Sequence, residues 1–82
     1  MSGPFVDIDL HGCTQEQAQR IIDRALKNAG PEVYQIRLVH GYHRGTSLMQ
    51  FIRDWYKYEA KVKRIIPGDN PGVTILVLKE LY

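Results

Sequence analysis

The chain has 82 residues, 44% of them hydrophobic, with a formal net charge of +2 and a single cysteine. That length supports one domain, residues 1–82, with one small core, and a lone cysteine excludes an internal disulfide. No apolar run approaches the roughly 20 residues of a membrane-spanning helix, and the opening MSGPF lacks the basic and apolar regions of a signal peptide, so no membrane partner and a cytoplasmic location are expected. A pI near 8.8 permits a nucleic-acid partner without demanding one.

Residues 5–10 alternate and read as a first strand, with Val6, Ile8 and Leu10 on one face. Asp7, Asp9 and His11 belong to the other, and Gly12 breaks the strand. Thr14 has the chemistry of an N-cap, and Gln17 completes a capping box. Ala18, Ile21, Ile22, Ala25, Leu26 and Ala29 then recur at helical spacing, and Gly30-Pro31 closes the helix. Residues 33–39, VYQIRLV, read as a second strand, with His40, Gly41 and Gly45 in the loop behind it. Ser47 with Gln50 offers another capping box. Leu48, Phe51, Ile52, Trp55 and Tyr56 repeat the helical spacing, and the Phe51, Trp55 and Tyr56 stripe is expected in the core. Residues 61–66, KVKRII, are a third strand, PGDNPG is a turn, and residues 73–79, VTILVLK, are a fourth strand.

The order β-α-β-α-β-β predicts an α/β domain, a two-layer α/β sandwich. The first three strands are joined by helical crossovers, so parallel pairing with right-handed connections is expected. The short last connection makes the fourth strand antiparallel. The sheet is therefore expected to be mostly parallel, with one antiparallel C-terminal strand. The carboxyl ends of the first three strands would then share one edge. DLHG, VHGYHRGT and PGDNPG would gather there, where ligands of open α/β sheets bind.

Asp9 and His11, two apart, project from the same face of a strand. A carboxylate beside an imidazole fixes its tautomer and stabilises the protonated ring, which suits a general acid or base. The plain alternative is a solvated strand residue followed by a turn residue. HGYHRGT sets His40, His43 and Arg44 among Gly41 and Gly45, just before a helix. Glycines let backbone N–H groups approach a phosphate, the helix N-terminus adds partial positive charge, and Arg44 can pair with phosphate bidentately. The plain alternative is a glycine-bearing loop feeding a helix cap. Cys13 reads as a small packing residue ahead of the cap. No cysteine pair or H-E-x-x-H spacing supports a metal site. Arg37, Lys61, Lys63 and Arg64, interleaved with Tyr34, Tyr42 and Tyr58, form a basic set able to track a nucleic-acid backbone, against the alternative of a solvated surface. Asp69 and Asn70 are read as turn residues.

The blocks DIDLHG, VHGYHRGT and IIPGDNPGVTILVL, in that order and spacing, resemble the Smr (small MutS-related) domain, from about Val6 to Leu78. The resemblance implies a fold similar to the C-terminal domain of a bacterial translation initiation factor. It implies nucleic-acid binding and, in many members, endonuclease activity. Some members nick DNA; others cut RNA, including messenger RNA on stalled or collided ribosomes, which makes the ribosome a further expected partner. The family's D-x-H motif maps onto Asp9 and His11, and its H-G-x-G motif onto His40 and Gly41. His43 stands where that motif ends in glycine, with Gly45 two residues on.

The expectation is therefore an endonuclease acting on a phosphodiester. Asp9 orients His11, His11 moves a proton, and His40 or His43 is the complementary acid or base. Gly12, Gly41, His43, Arg44, Gly45, Thr46, Ser47, Lys63 and Arg64 are the expected phosphate contacts. RNA, the favoured substrate, can be cut by its own 2′-hydroxyl with no metal. DNA needs water as nucleophile, and a divalent cation held by Asp9 then becomes the expected cofactor. The alternative is a binding module for nucleic acid or the ribosome with no chemistry, which the His43 departure favours.

Overall fold

The computed structural model describes residues 4–41 and 45–80, with the side chains of residues 45 and 46 left aside. Six elements follow one another: β1 (Phe5–Asp9), α1 (Gln15–Asn28), β2 (Gln35–Val39), α2 (Gly45–Tyr56), β3 (Arg64–Pro67) and β4 (Val73–Val77). They form a mixed four-stranded sheet with two helices.

The start of α1 is the capping box read from the sequence. Thr14 Oγ1 accepts the Gln17 N–H at 3.1 Å, and Gln17 Oε1 accepts the Thr14 N–H at 3.0 Å. Ala18, Ile22 and Leu26 form the buried line of this helix, while Ile21 lies on its flank and is exposed. The second expected capping box is absent. The helix α2 begins at Gly45, so Ser47 stands inside its first turn and cannot cap it. Gln50 instead donates to Asp54 Oδ1, one turn on, at 3.1 Å.

The aromatic stripe of α2 also divides differently. Leu48, Ile52 and Tyr56 are buried, and Phe51 packs partly against them. Trp55 is 55% exposed and stacks on Phe51, with ring centroids 5.6 Å apart. Its position, one residue short of Tyr56, rotates it off the buried line by about 100°. The third strand starts later than the spacing suggested. Val62 N–H donates to the Glu59 carbonyl at 3.0 Å, and Lys61 Nζ donates to the Leu26 carbonyl at 2.6 Å. Residues 61 and 62 thus close a turn against the end of α1 before β3 begins.

The sheet order is β1-β2-β4-β3. Only β1 and β2 pair in parallel; β4 pairs antiparallel with both β2 and β3. β1, β2 and β3 do run the same way, as expected. However, β4 is inserted between β2 and β3, so the expected mostly parallel sheet becomes one with two antiparallel pairings of three. The physical reason is burial. β4 is buried at four of its five residues, and its VTILV sequence suits a central strand. β3 carries Arg64 and Pro67, which an edge strand tolerates.

One hydrophobic cluster joins the helices and the sheet. Ile22 and Leu26 of α1 and Ile52 and Tyr56 of α2 meet Ile36 and Leu38 of β2 and Leu76 of β4. Between the helices, the Tyr56 hydroxyl donates to Asp23 Oδ1 at 2.7 Å. Burial, reinforced by that carboxylate, pushes the Tyr56 phenol well above its usual range.

Candidate functional site

Register places Asp9, Val39 and Val73 side by side across β1, β2 and β4. Pro67, which ends β3, pairs with Thr74 next to them. The loops after β1, β2 and β3 therefore open at one edge, as the strand directions required.

Backbone bonds tie those loops together. The Gly72 carbonyl accepts the N–H of His40 at 2.9 Å and of Gly41 at 3.0 Å. Asn70 Oδ1 accepts the Gly72 N–H at 2.9 Å, and the Asn70 carbonyl accepts the Val73 N–H at 3.1 Å. Asn70 is thus a turn residue, as read. The Gly41 amide is thus bonded to the β3–β4 loop.

Gly12 and Gly41 take φ of +80° and +86°. A side chain there would meet the left-handed penalty of about 1–2 kcal/mol. A Cβ on Gly41 would also lie 3.5 Å from His11 Cδ2. The edge of the His11 ring therefore lies beside the Gly41 turn.

Asp9 and His11 are both exposed. Among the described residues, the Asp9 carboxylate bonds the peptide of His11 and not its ring: Oδ1 accepts the His11 N–H at 2.9 Å. This closes a tight turn that sets where the imidazole stands.

His40 differs from both. It is 2% exposed. Its Nδ1 lies 3.0 Å from the Gly41 carbonyl and its Nε2 2.8 Å from Thr74 Oγ1. A carbonyl only accepts, so Nδ1 carries the proton and donates to it, and the Thr74 hydroxyl donates to Nε2. Both nitrogens are engaged inside the protein. Thr74 had no place in the sequence reading, although a lone hydroxyl in VTILV is the kind of signal that marks a buried partner.

Gly45, Thr46 and Ser47 form the first turn of α2, whose N-terminus follows the Gly41 turn closely in the chain. The N-terminus of a helix carries partial positive charge. His43 and Arg44 lie outside the described residues. Lys63 and Arg64 are not at this edge. Arg64 begins β3 and Lys63 precedes it, while the other end of the strand, Pro67, reaches the edge roughly 10 Å away. A cleft of about 520 Å³ opens beside the loops, with His40, Gly41, Met49, Arg53, Pro67 and Asn70 in its wall. The sequence reading missed Met49 and Arg53, which one flank of α2 brings to it. Cys13 is half-buried against the core, as a packing residue. Among the described residues no group of three or more His, Cys, Asp or Glu is arranged to hold a metal ion, and no helix is long and apolar enough to cross a membrane.

The β3–β4 loop is pinned from below by Arg37. Its Nη2 donates to Asp69 Oδ1 at 2.8 Å, and its Nη1 lies 3.8 Å from Asp7 Oδ1. The hydrogen bond from Arg37 holds the Asp69 carboxyl below the usual carboxylate range, and Asp69 in turn raises the guanidinium. A depressed carboxyl adds stability that is present above its unfolded value and lost as pH falls through the folded one. Acid denaturation should therefore show Asp69→Asn less stable than the parent at neutral pH, with the gap closing as pH drops below about 4. The pair is exposed, so the gap is small. An equal gap at every pH would remove the charge from this account.

A family model described as the Smr domain matches residues 8–79. The crystal structure of the Smr domain of Thermus thermophilus MutS2 is similar, with a TM-score of 0.81 and 29% sequence identity. The match covers 92% of this chain and 99% of that one. No curated protein matches the chain.

Proposed function

Because the chain belongs to the Smr domain family, we propose that it is an endonuclease that binds nucleic acid at the loop edge and cuts a phosphodiester there. The observation that supports this most is the nearness of the His11 ring to the Gly41 turn. It sets an exposed imidazole beside the turn that bonds to the β3–β4 loop.

His11 moves the proton. Asp9 acts through the peptide it holds, fixing the position of the imidazole. The substrate is RNA. Its 2′-hydroxyl attacks the adjacent phosphorus, the O2′ proton leaves to a base, and the 5′-oxygen departs with a proton from an acid. His11 performs one of these transfers, and His43 or water performs the other. His40 is a positioning residue, because both ring nitrogens are bonded and the ring holds the Gly41 carbonyl. Arg44 and the N-terminus of α2 oppose the charge that grows on the phosphate oxygens. The matching location is the cytoplasm, and the ribosome is where such an RNA is met.

The test incubates the purified chain with structured RNA and with supercoiled plasmid, with and without chelator, and identifies the product ends. A 2′,3′-cyclic phosphate that forms in chelator is the expected product. Nicked plasmid that needs a divalent ion would replace RNA with DNA as the substrate. Binding without any cut product would select the second reading, a nucleic-acid binding module. The burial of His40 is the observation that favours that reading, because it removes one of the two imidazoles expected to act.

A further inference from the structure

A second groove, of about 440 Å³, lies between the C-terminal half of α2 and the start of β3. Arg53, Lys57, Lys63 and Arg64 line it, over a floor of Val62 and Ile65. No carboxylate lines it. Arg64 Nε donates to Glu80 Oε1 at 2.7 Å. Among the described residues Arg53, Lys57 and Lys63 make no ion pair. The whole chain carries a net charge of only +2, so this local excess of cations is not a by-product of a basic composition. Arg53, Lys57 and Lys63, lining one groove with no carboxylate paired to them among the described residues, repel one another, and a polyanion laid along the groove relieves that repulsion.

The groove adjoins the cleft at the loop edge. Arg53 lines both it and the cleft beside Gly41 and Asn70. The 12 residues of α2 lead from the loop edge toward Lys57, a distance of about 18 Å at the helical rise. The opposite flank of α2 offers Asp54 beside Phe51 and Trp55 instead.

Resting on the nucleic-acid reading above, we infer that this groove is the exit path of the substrate's sugar–phosphate backbone. The strand leaves the loop edge past Arg53 and runs along the β3 side of α2, with phosphates against Lys57 and Lys63. The cations at the start of β3, which stand away from the cutting edge, thereby belong to one continuous binding surface with it. RNA and DNA share the chemistry that these cations recognise.

The test measures binding of RNA and DNA oligonucleotides of one sequence by fluorescence anisotropy across a salt series. The parent, an R53A/K57A/K63A variant and an R24A/K27A control on the exposed face of α1 are compared. Each lost phosphate contact should lower the slope of log affinity against log salt by about 0.7 for a single strand, so the triple variant should lose about 2 and the control nothing. Thermal melts establish that the variants are folded. Lys57→Gln, at an exposed position just past the helix, gives the single-contact slope if the triple variant is not. A parent that binds with steep salt dependence and a folded triple variant with the same slope would overturn the groove and leave the proposed function standing. A parent with no salt-dependent binding would overturn both. A difference between the RNA and DNA arms that the triple variant retains assigns sugar recognition to the loop edge, as the groove proposal requires.

Discussion

Replacing His11 by alanine is expected to slow cutting about 10²–10⁴-fold, the usual contribution of a positioned acid or base, while affinity for the uncut substrate stays nearly unchanged. The imidazole is exposed, and the bonds that tie the Gly41 turn to Gly72 do not involve it, so its removal leaves the frame of the loops in place. Asp9 separates two kinds of support. Asp9→Asn keeps a side-chain oxygen able to accept the His11 N–H; Asp9→Ala does not. If Asp9 works by placing the peptide, Asp9→Asn should retain more activity than Asp9→Ala. Single-turnover cleavage and anisotropy on the same variants provide both readouts. An H11A chain that cuts at the parental rate, or that loses affinity in step with rate, would remove His11 from the chemistry.

The second large effect is on stability, at Tyr56. This side chain is 1% exposed, and it lies in the cluster that joins both helices to the sheet. Truncating a buried aromatic to alanine costs about 3–5 kcal/mol. A chain of this size has a total stability of about 4–12 kcal/mol, so Tyr56→Ala should leave little folded margin and lower Tm by more than about 12 °C. Tyr56→Phe keeps the ring and loses the bond to Asp23 together with a longer one, 3.4 Å, to the Gln19 carbonyl. Asp23 is exposed and can regain water, so about 1 kcal/mol is expected. The pH dependence follows from the raised phenol. The folded state holds it neutral, so its contribution is complete below the unfolded value of about 10 and declines as pH rises past it. Tyr56→Phe should lack that alkaline decline. Chemical denaturation from neutral pH to pH 11 measures both effects, and parallel curves for parent and Tyr56→Phe would contradict the assignment.

The candidate site was partly legible in the sequence. Asp9, His11, Gly12 and Gly41 could be placed at one edge because two helical crossovers fix the direction of the first three strands. The two positive-φ glycines mark where the chain turns back on itself. What these residues bond to was not legible. Spacing sets Asp9 and His11 on one face, but which atoms of His11 the carboxylate meets depends on how the chain turns after the strand. The two nitrogens of His40 are held by Gly41, next in sequence, and by Thr74, 34 residues away. Arg37 and Asp69, 32 residues apart, meet for the same reason.

By itself the sequence determined the element order, the α1 cap, the helical spacing of the apolar residues and the direction of β1, β2 and β3. These rest on periodicity, on capping over a few residues and on the chirality of the backbone, all of which act locally. Only the tertiary structure decided that β4 enters between β2 and β3, that Trp55 faces out, that His40 is sealed in, and that Lys63 and Arg64 stand away from the loop edge beside Arg53 and Lys57. Strand order and side-chain partnership are set by which surfaces can be buried together once the whole chain has collapsed. That is a competition among distant segments, which no short window of residues contains.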